Sequence, residues 1–140
     1  MRTTPYLNLT QQSDATADDS DKTFAVPSGK QWHVRSIGVR LVTTATVGNR
    51  QLDILITDGS DNLLIKLAAG AVQAASLTRD YTFAPGLPND TSFANGAMTR
   101  ALPENLVLPA GYKIRVYDSA AIDAAADDLT VRILVEEWKE

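Results

Sequence analysis

The residues best placed to do chemistry are acids. Asp118, Asp123, Asp127 and Asp128 share one short connector, and oxygen-rich loops bind calcium. Their spacing is not that of a helix-loop-helix calcium hand, and the alanines between them offer only backbone carbonyls. An aspartate that follows or precedes a strand also serves as a cap or turn residue. That role accounts for most of these acids, and whether the Asp118–Asp128 connector binds calcium stays open. The run Asp58-Gly59-Ser60-Asp61-Asn62 fits a hairpin turn better than an ion site.

The lone histidine, His33, stands beside Trp32 with no second histidine to complete a zinc site or a nucleophile-base pair. Cysteine is absent, no serine sits in a Gly-x-Ser-x-Gly elbow, and no phosphate-cradling or dinucleotide-binding glycine motif occurs. Paired carboxylates for glycoside hydrolysis cannot be singled out among 17 acids. Arg40, Arg50, Arg79, Arg100 and Arg115 are scattered singly, which suits solubility or protein anchoring equally. Trp32, Tyr81, Tyr117 and Trp138 could form a sugar platform, but a chain with two Trp, four Tyr and three Phe needs most of them for its core. The expectation is therefore no enzyme and no cofactor, with no metal ligand assigned and calcium at the Asp118–Asp128 connector left open.

The elements that must position these residues read as strands. From residue 23 a two-residue period dominates. Thr23-Phe24-Ala25-Val26 is stopped by Pro27-Ser28-Gly29-Lys30. The run 31–46 is rich in β-branched residues. Trp32 and Val34 hold its apolar side in one phase and Ile37, Val39 and Leu41 in the other, which predicts a bulge near Arg35-Ser36. Strands follow over 50–57, 63–67 and 77–83, then at 106–108, 112–117 and 129–138. The stretch 68–76 is ambiguous between helix and loop, 84–102 reads as a long loop, and the Ala/Asp connector reads as one or two helical turns. About eight strands with turn signals between them predict an all-β, jelly-roll-like antiparallel sandwich over 23–140.

Residues 1–22 differ. Gln11 to Asp21 is polar, acidic and aperiodic, and reads as a flexible N-terminal arm. Ahead of it, Tyr6-Leu7-Asn8-Leu9 is either a first edge strand or a sticky patch that pairs with a partner.

At 140 residues the chain is long enough for one domain with a real core. Thirteen basic residues against 17 acidic ones give a net charge of −4 and a pI near 4.9. That balance opposes a nucleic-acid binder and docking to an anionic membrane. Met1-Arg2-Thr3-Thr4-Pro5 leads into a polar stretch and gives no expectation of a secretory leader. No apolar run approaches the length of a membrane-spanning helix.

Two segments carry a resemblance. Phe24-Ala25-Val26-Pro27-Ser28-Gly29-Lys30-Gln31-Trp32, followed by Gly48-Asn49-Arg50-Gln51-Leu52, resembles small structural proteins of tailed bacteriophages. So does Leu106 to Asp118, with the Ala/Asp connector and Asp127-Asp128-Leu129-Thr130-Val131 after it. The pattern over 23–138 is similar to the jelly-roll cement, or decoration, proteins of phage capsids. The resemblance implies a homotrimer on the outer surface of the virion, bound to the major capsid protein and bridging neighbouring capsomers. Phe-x-Val-Pro-x-Gly also occurs in tail and fibre jelly rolls, so the alternative is a module that binds a host receptor or carbohydrate. The contact residues expected on this reading are Tyr6, Leu7 and Leu9 in the arm, with Arg79, Phe93 and Arg100 in and beside the 84–102 loop. Deleting 1–22 is expected to weaken attachment and leave the fold intact.

Overall fold

The computed structural model describes the backbone of residues 7–139 and the side chains of residues 8–139. It is all-β. Ten strands run in chain order: β1 (Leu7–Asp14), β2 (Lys22–Ala25), β3 (Lys30–Val42), β4 (Leu52–Thr57), β5 (Leu63–Ala68), β6 (Thr78–Phe83), β7 (Ala97–Arg100), β8 (Val107–Pro109), β9 (Lys113–Asp118) and β10 (Asp128–Lys139). Six lie in one sheet, ordered β1-β10-β3-β6-β7 with β8 also paired to β3. The other sheet is β2-β9-β4-β5.

The pairing follows a rolled hairpin. β1 pairs with β10, β2 with β9, β3 with β6 and β4 with β5, all antiparallel. Two further antiparallel pairings, β10 with β3 and β9 with β4, close the roll into two sheets. This is the jelly-roll plan of two Greek keys, with β7 and β8 as additions to it.

Alternation places the core. Ile37, Val39 and Leu41 of β3, Tyr81 and Phe83 of β6, and Leu129, Val131, Ile133 and Val135 of β10 face inward from the larger sheet. Phe24, Leu52, Ile54, Ile56, Ile114 and Val116 meet them from the smaller one. The expected bulge is present. Leu134 opposes Ser36 while Val135 opposes Val34, so Arg35 is the extra residue and both halves of β3 bury their apolar side. Trp32 is buried with its indole N–H donated to Glu137 Oε2 at 2.9 Å. At the turn between β2 and β3, Gly29 takes φ 73°, a left-handed conformation natural to glycine.

Several expectations are corrected. The segment read as an arm supplies β1, the first strand of the roll, paired with β10 in continuous register from Leu7↔Trp138 to Asp14↔Val131. Residues 15–21 then lead straight into β2. The strand was hidden because its inward-facing positions are Thr10, Gln12 and Asp14, which give no apolar alternation. The 84–102 loop contains β7, which pairs parallel with β6. β5 runs on to Ala68 and residues 69–76 are irregular, which settles that stretch as loop, while the Ala/Asp connector makes a single turn, with the Asp127 amide donating to the Asp123 carbonyl at 2.8 Å.

Candidate functional site

One surface and one buried cluster stand out. The surface lies where β1 and β10 meet. Cross-strand partners share a face, and Leu9 opposes Glu136 while Gln11 opposes Leu134. Leu9, Leu134 and Trp138 therefore lie on the outer face of the larger sheet, 66%, 37% and 45% exposed. Leu7 holds the register position opposite Trp138. β1 is an edge strand, so this apolar row borders a line of backbone groups open to further pairing.

The other expected contact residues are placed differently. Tyr6 lies outside the described residues. Arg79 stacks over the Phe93 ring, 4.6 Å from its centroid, and Phe93 meets Tyr81 edge-on at 5.4 Å. Phe93 packs against the core with φ 58°, an unusual backbone state for a bulky residue. The Arg79-Phe93-Tyr81 stack thus pins the 84–102 segment to β6. Arg100 donates from Nη1 to the Ala68 carbonyl, tying β7 to the end of β5. These three residues hold the loop in place, whereas Leu9 stands free on the surface.

The four aromatics considered as a sugar platform are dispersed. Trp32 and Tyr81 are buried, Tyr117 lies beneath Arg115 on the smaller sheet, and Trp138 is on the larger one. His33 is partly buried, its Nδ1 3.8 Å from Glu136 Oε2, and Arg35 also reaches Glu136 at 3.0 Å.

The buried cluster lies at one end of the sandwich, where the β1–β2 loop meets the end of β9 and the start of β10. One carboxylate oxygen from each of Asp19, Asp118 and Asp127 lies within 4.8 Å of the other two. All three residues are buried. Asp127 is fully engaged. Arg50 donates to it from Nε at 2.7 Å and from Nη2 at 3.0 Å, and the Thr44 amide adds a bond at 2.8 Å. Burial alone would raise the Asp127 carboxyl, but these donors outweigh it and hold the group below its ordinary range.

Asp118 accepts the Gln51 and Ala120 amides on Oδ1 only, both at 3.0 Å. Its Oδ2 and both oxygens of Asp19 are buried without a donor. Burial, then a neighbouring Asp118 carboxylate able to accept its proton, then the charges of Asp118 and Asp127, push Asp19 up to about 8. The loop that carries Asp19 is fixed. The Asp19 amide donates to the Ala124 carbonyl at 3.0 Å, and the Leu129 amide donates to the Asp18 carbonyl at 3.0 Å. Buried Lys22 adds bonds to Asp18 Oδ1 at 2.8 Å and to the Thr16 carbonyl at 3.1 Å.

Asp118 and Asp127 are legible in the sequence both as candidate calcium ligands and as caps, whereas Arg50 reads as one of the singly scattered arginines. Arg50 is fully buried. Asp19 was missed because it lies in a polar, aperiodic run. Lys22 offered a signal, since it shares the inward phase with Phe24 and Val26.

No family model matches the sequence, and no curated protein matches it. Solved structures resemble the chain at low similarity. VP2 of infectious bursal disease virus, in its subviral particle, is 15% identical with a TM-score of 0.42 over 91% of this chain. The chain spans 32% of that protein. The Drosophila NLP core is 13% identical with a TM-score of 0.36, covering 92% of this chain and 98% of that one. A carbohydrate-binding module of Ruminococcus flavefaciens Cel9A is 11% identical with a TM-score of 0.39, covering 94% and 96%. These likenesses are of fold alone and carry no argument about function.

Proposed function

We propose that this chain is a structural protein of a bacteriophage virion, binding the outside of the capsid shell as a homotrimeric cement protein that bridges neighbouring capsomers. The observation that carries the reading is the contiguity of the two segments that resemble such proteins. The Val26 amide donates to the Tyr112 carbonyl and the Gly111 amide to the Val26 carbonyl, both at 2.9 Å, while Trp32 opposes Leu108. Phe24–Trp32 and Leu106–Asp118 therefore form one corner joining the two sheets.

The mechanism is mechanical. A closed sandwich with a core spanning both sheets is a stiff body, and three such bodies in one trimer bind at high effective concentration. Avidity then exceeds single-site affinity by about 10²–10⁴. The exposed Leu9, Leu134 and Trp138 row supplies an apolar contact beside a strand edge, and the net charge of −4 disfavours nonspecific nucleic-acid binding. Trp32, Tyr81, Tyr117 and Trp138 are too dispersed to form together the platform that the carbohydrate-binding alternative would use.

Sedimentation of the purified protein with shells assembled without it tests the reading. Co-pelleting that saturates at a fixed ratio to the major capsid protein is expected. Failure to pellet with shells of any maturation state would overturn it.

A further inference from the structure

We propose that Asp19, Asp118 and Asp127 bind one calcium ion that fixes the β1–β2 loop to the ends of β9 and β10. The cluster has what a cation needs and what a purely structural polar group lacks. Three oxygens, one from the β1–β2 loop and two from opposite ends of the β9–β10 connector, converge within 4.8 Å. Asp19, 4% exposed, has neither oxygen bonded, and Asp118, also 4% exposed, has Oδ2 unbonded. Buried polar atoms are almost always satisfied, and a buried carboxylate without a donor costs far more than a neutral group.

Charge points to the valence. With Asp19 ionised, as it must be to hold a cation, three carboxylates against the single guanidinium of Arg50 leave two negative charges uncompensated. Lys22 is the other buried cation here, and its ammonium is held by Asp18. A divalent ion would neutralise the remainder.

The donor set points to the element. All three side chains offer hard oxygen, with no imidazole or thiolate, which suits calcium or magnesium over zinc or copper. Asp118 and Asp127 are already oriented by backbone amides and Arg50, so the protein fixes their oxygens and they are not free to move into an ideal octahedron. Calcium accepts such geometry, whereas magnesium demands a near-ideal octahedron. The ion would act as a three-way staple at the end of the sandwich where β1 joins the roll. This inference is independent of what the protein binds on its surface.

Thermal unfolding and calorimetric titration of the full chain test it, comparing chelator with calcium. Binding of one calcium per chain is expected. Tm should rise by roughly 5–10 °C at about a hundred times the dissociation constant. Asp19→Asn keeps the shape and removes one of the clustered charges. It should fold, lose most of the calcium response, and melt in chelator no lower than the native chain. Asp118→Asn should lose the response as well. No heat of binding and no Tm shift in the native chain would overturn the proposal, leaving a proton shared between Asp19 and Asp118. An undiminished response in both variants would overturn it too, since the ion would then sit elsewhere.

Discussion

Arg50 and Asp127, 77 residues apart, form a bidentate ion pair with both side chains fully buried, at 2.7 Å and 3.0 Å. The guanidinium also caps the Thr46 and Gly48 carbonyls, at 2.8 Å and 2.7 Å, so it organises the whole β3–β4 turn. Removing one partner of such a pair strands the other charge in the interior. Here the stranded Asp127 would also face Asp19 and Asp118. Arg50→Met should destabilise the fold by about 3–5 kcal/mol in denaturant titration. A loss below about 1 kcal/mol would show that the pair is not the anchor of that turn.

β1 gives a second prediction, and it reverses the expectation drawn from composition. Its pairing with β10 covers what would otherwise be a long sheet edge, and the loop after it carries buried Asp19 and leads to buried Lys22. Deleting residues 1–22 should abolish cooperative thermal unfolding or produce aggregation. A truncated chain that melts as sharply and as high as the full one would return 1–22 to the status of an arm.

Surface attachment is a separate matter from folding. Leu9→Asp changes an exposed side chain on an outer face, where substitutions usually shift stability by no more than about 0.5 kcal/mol. It should leave Tm near the native value and lower shell affinity by tenfold or more. Equal affinity with an equal Tm would remove the β1–β10 face from the contact.

Tyr81 supplies a prediction in pH. Its hydroxyl donates to Gln73 Oε1 at 2.8 Å, and burial pushes it from 10.0 up to about 12. The native state then keeps a proton that the unfolded chain releases, so stability is unaffected below pH 10 and falls as pH rises from there towards 12. Phenolate absorbance should show a late step, well above pH 10. Tyr81→Phe should abolish that late step. It should also cost about 1–3 kcal/mol, because Gln73 loses its donor in a buried place. A titration curve that Tyr81→Phe leaves unchanged in shape, with the fold intact, would contradict this.

What was legible in the sequence was set by periodicity. Trp32 and Val34 against Ile37, Val39 and Leu41 announced both the strand and its bulge, because a phase change in an alternating pattern has few other causes. Of β1 only the start was legible, in the edge-strand reading of Tyr6-Leu7-Asn8-Leu9, and its run to Asp14 was hidden for the converse reason. Polar Thr10, Gln12 and Asp14 take the inward positions, while apolar Leu9 faces out. β7 is short and sits at an edge, with Met98 its only large apolar residue, so loop signals around it prevailed. The buried cluster needed the fold itself. Asp19, Arg50, Asp118 and Asp127 come from four segments that only the roll brings together, and no local spacing announces that. Lys22, in phase with Phe24 and Val26, was the one visible sign that charge enters this interior.

The most direct test of the cement reading is electron cryomicroscopy of shells saturated with the purified protein. The account predicts trimeric density on the outer surface at local three-fold positions, with the sandwich spanning adjacent capsomers and the Leu9–Trp138 face against the shell. Bare shells under saturating protein, or density confined to a tail or fibre, would contradict it.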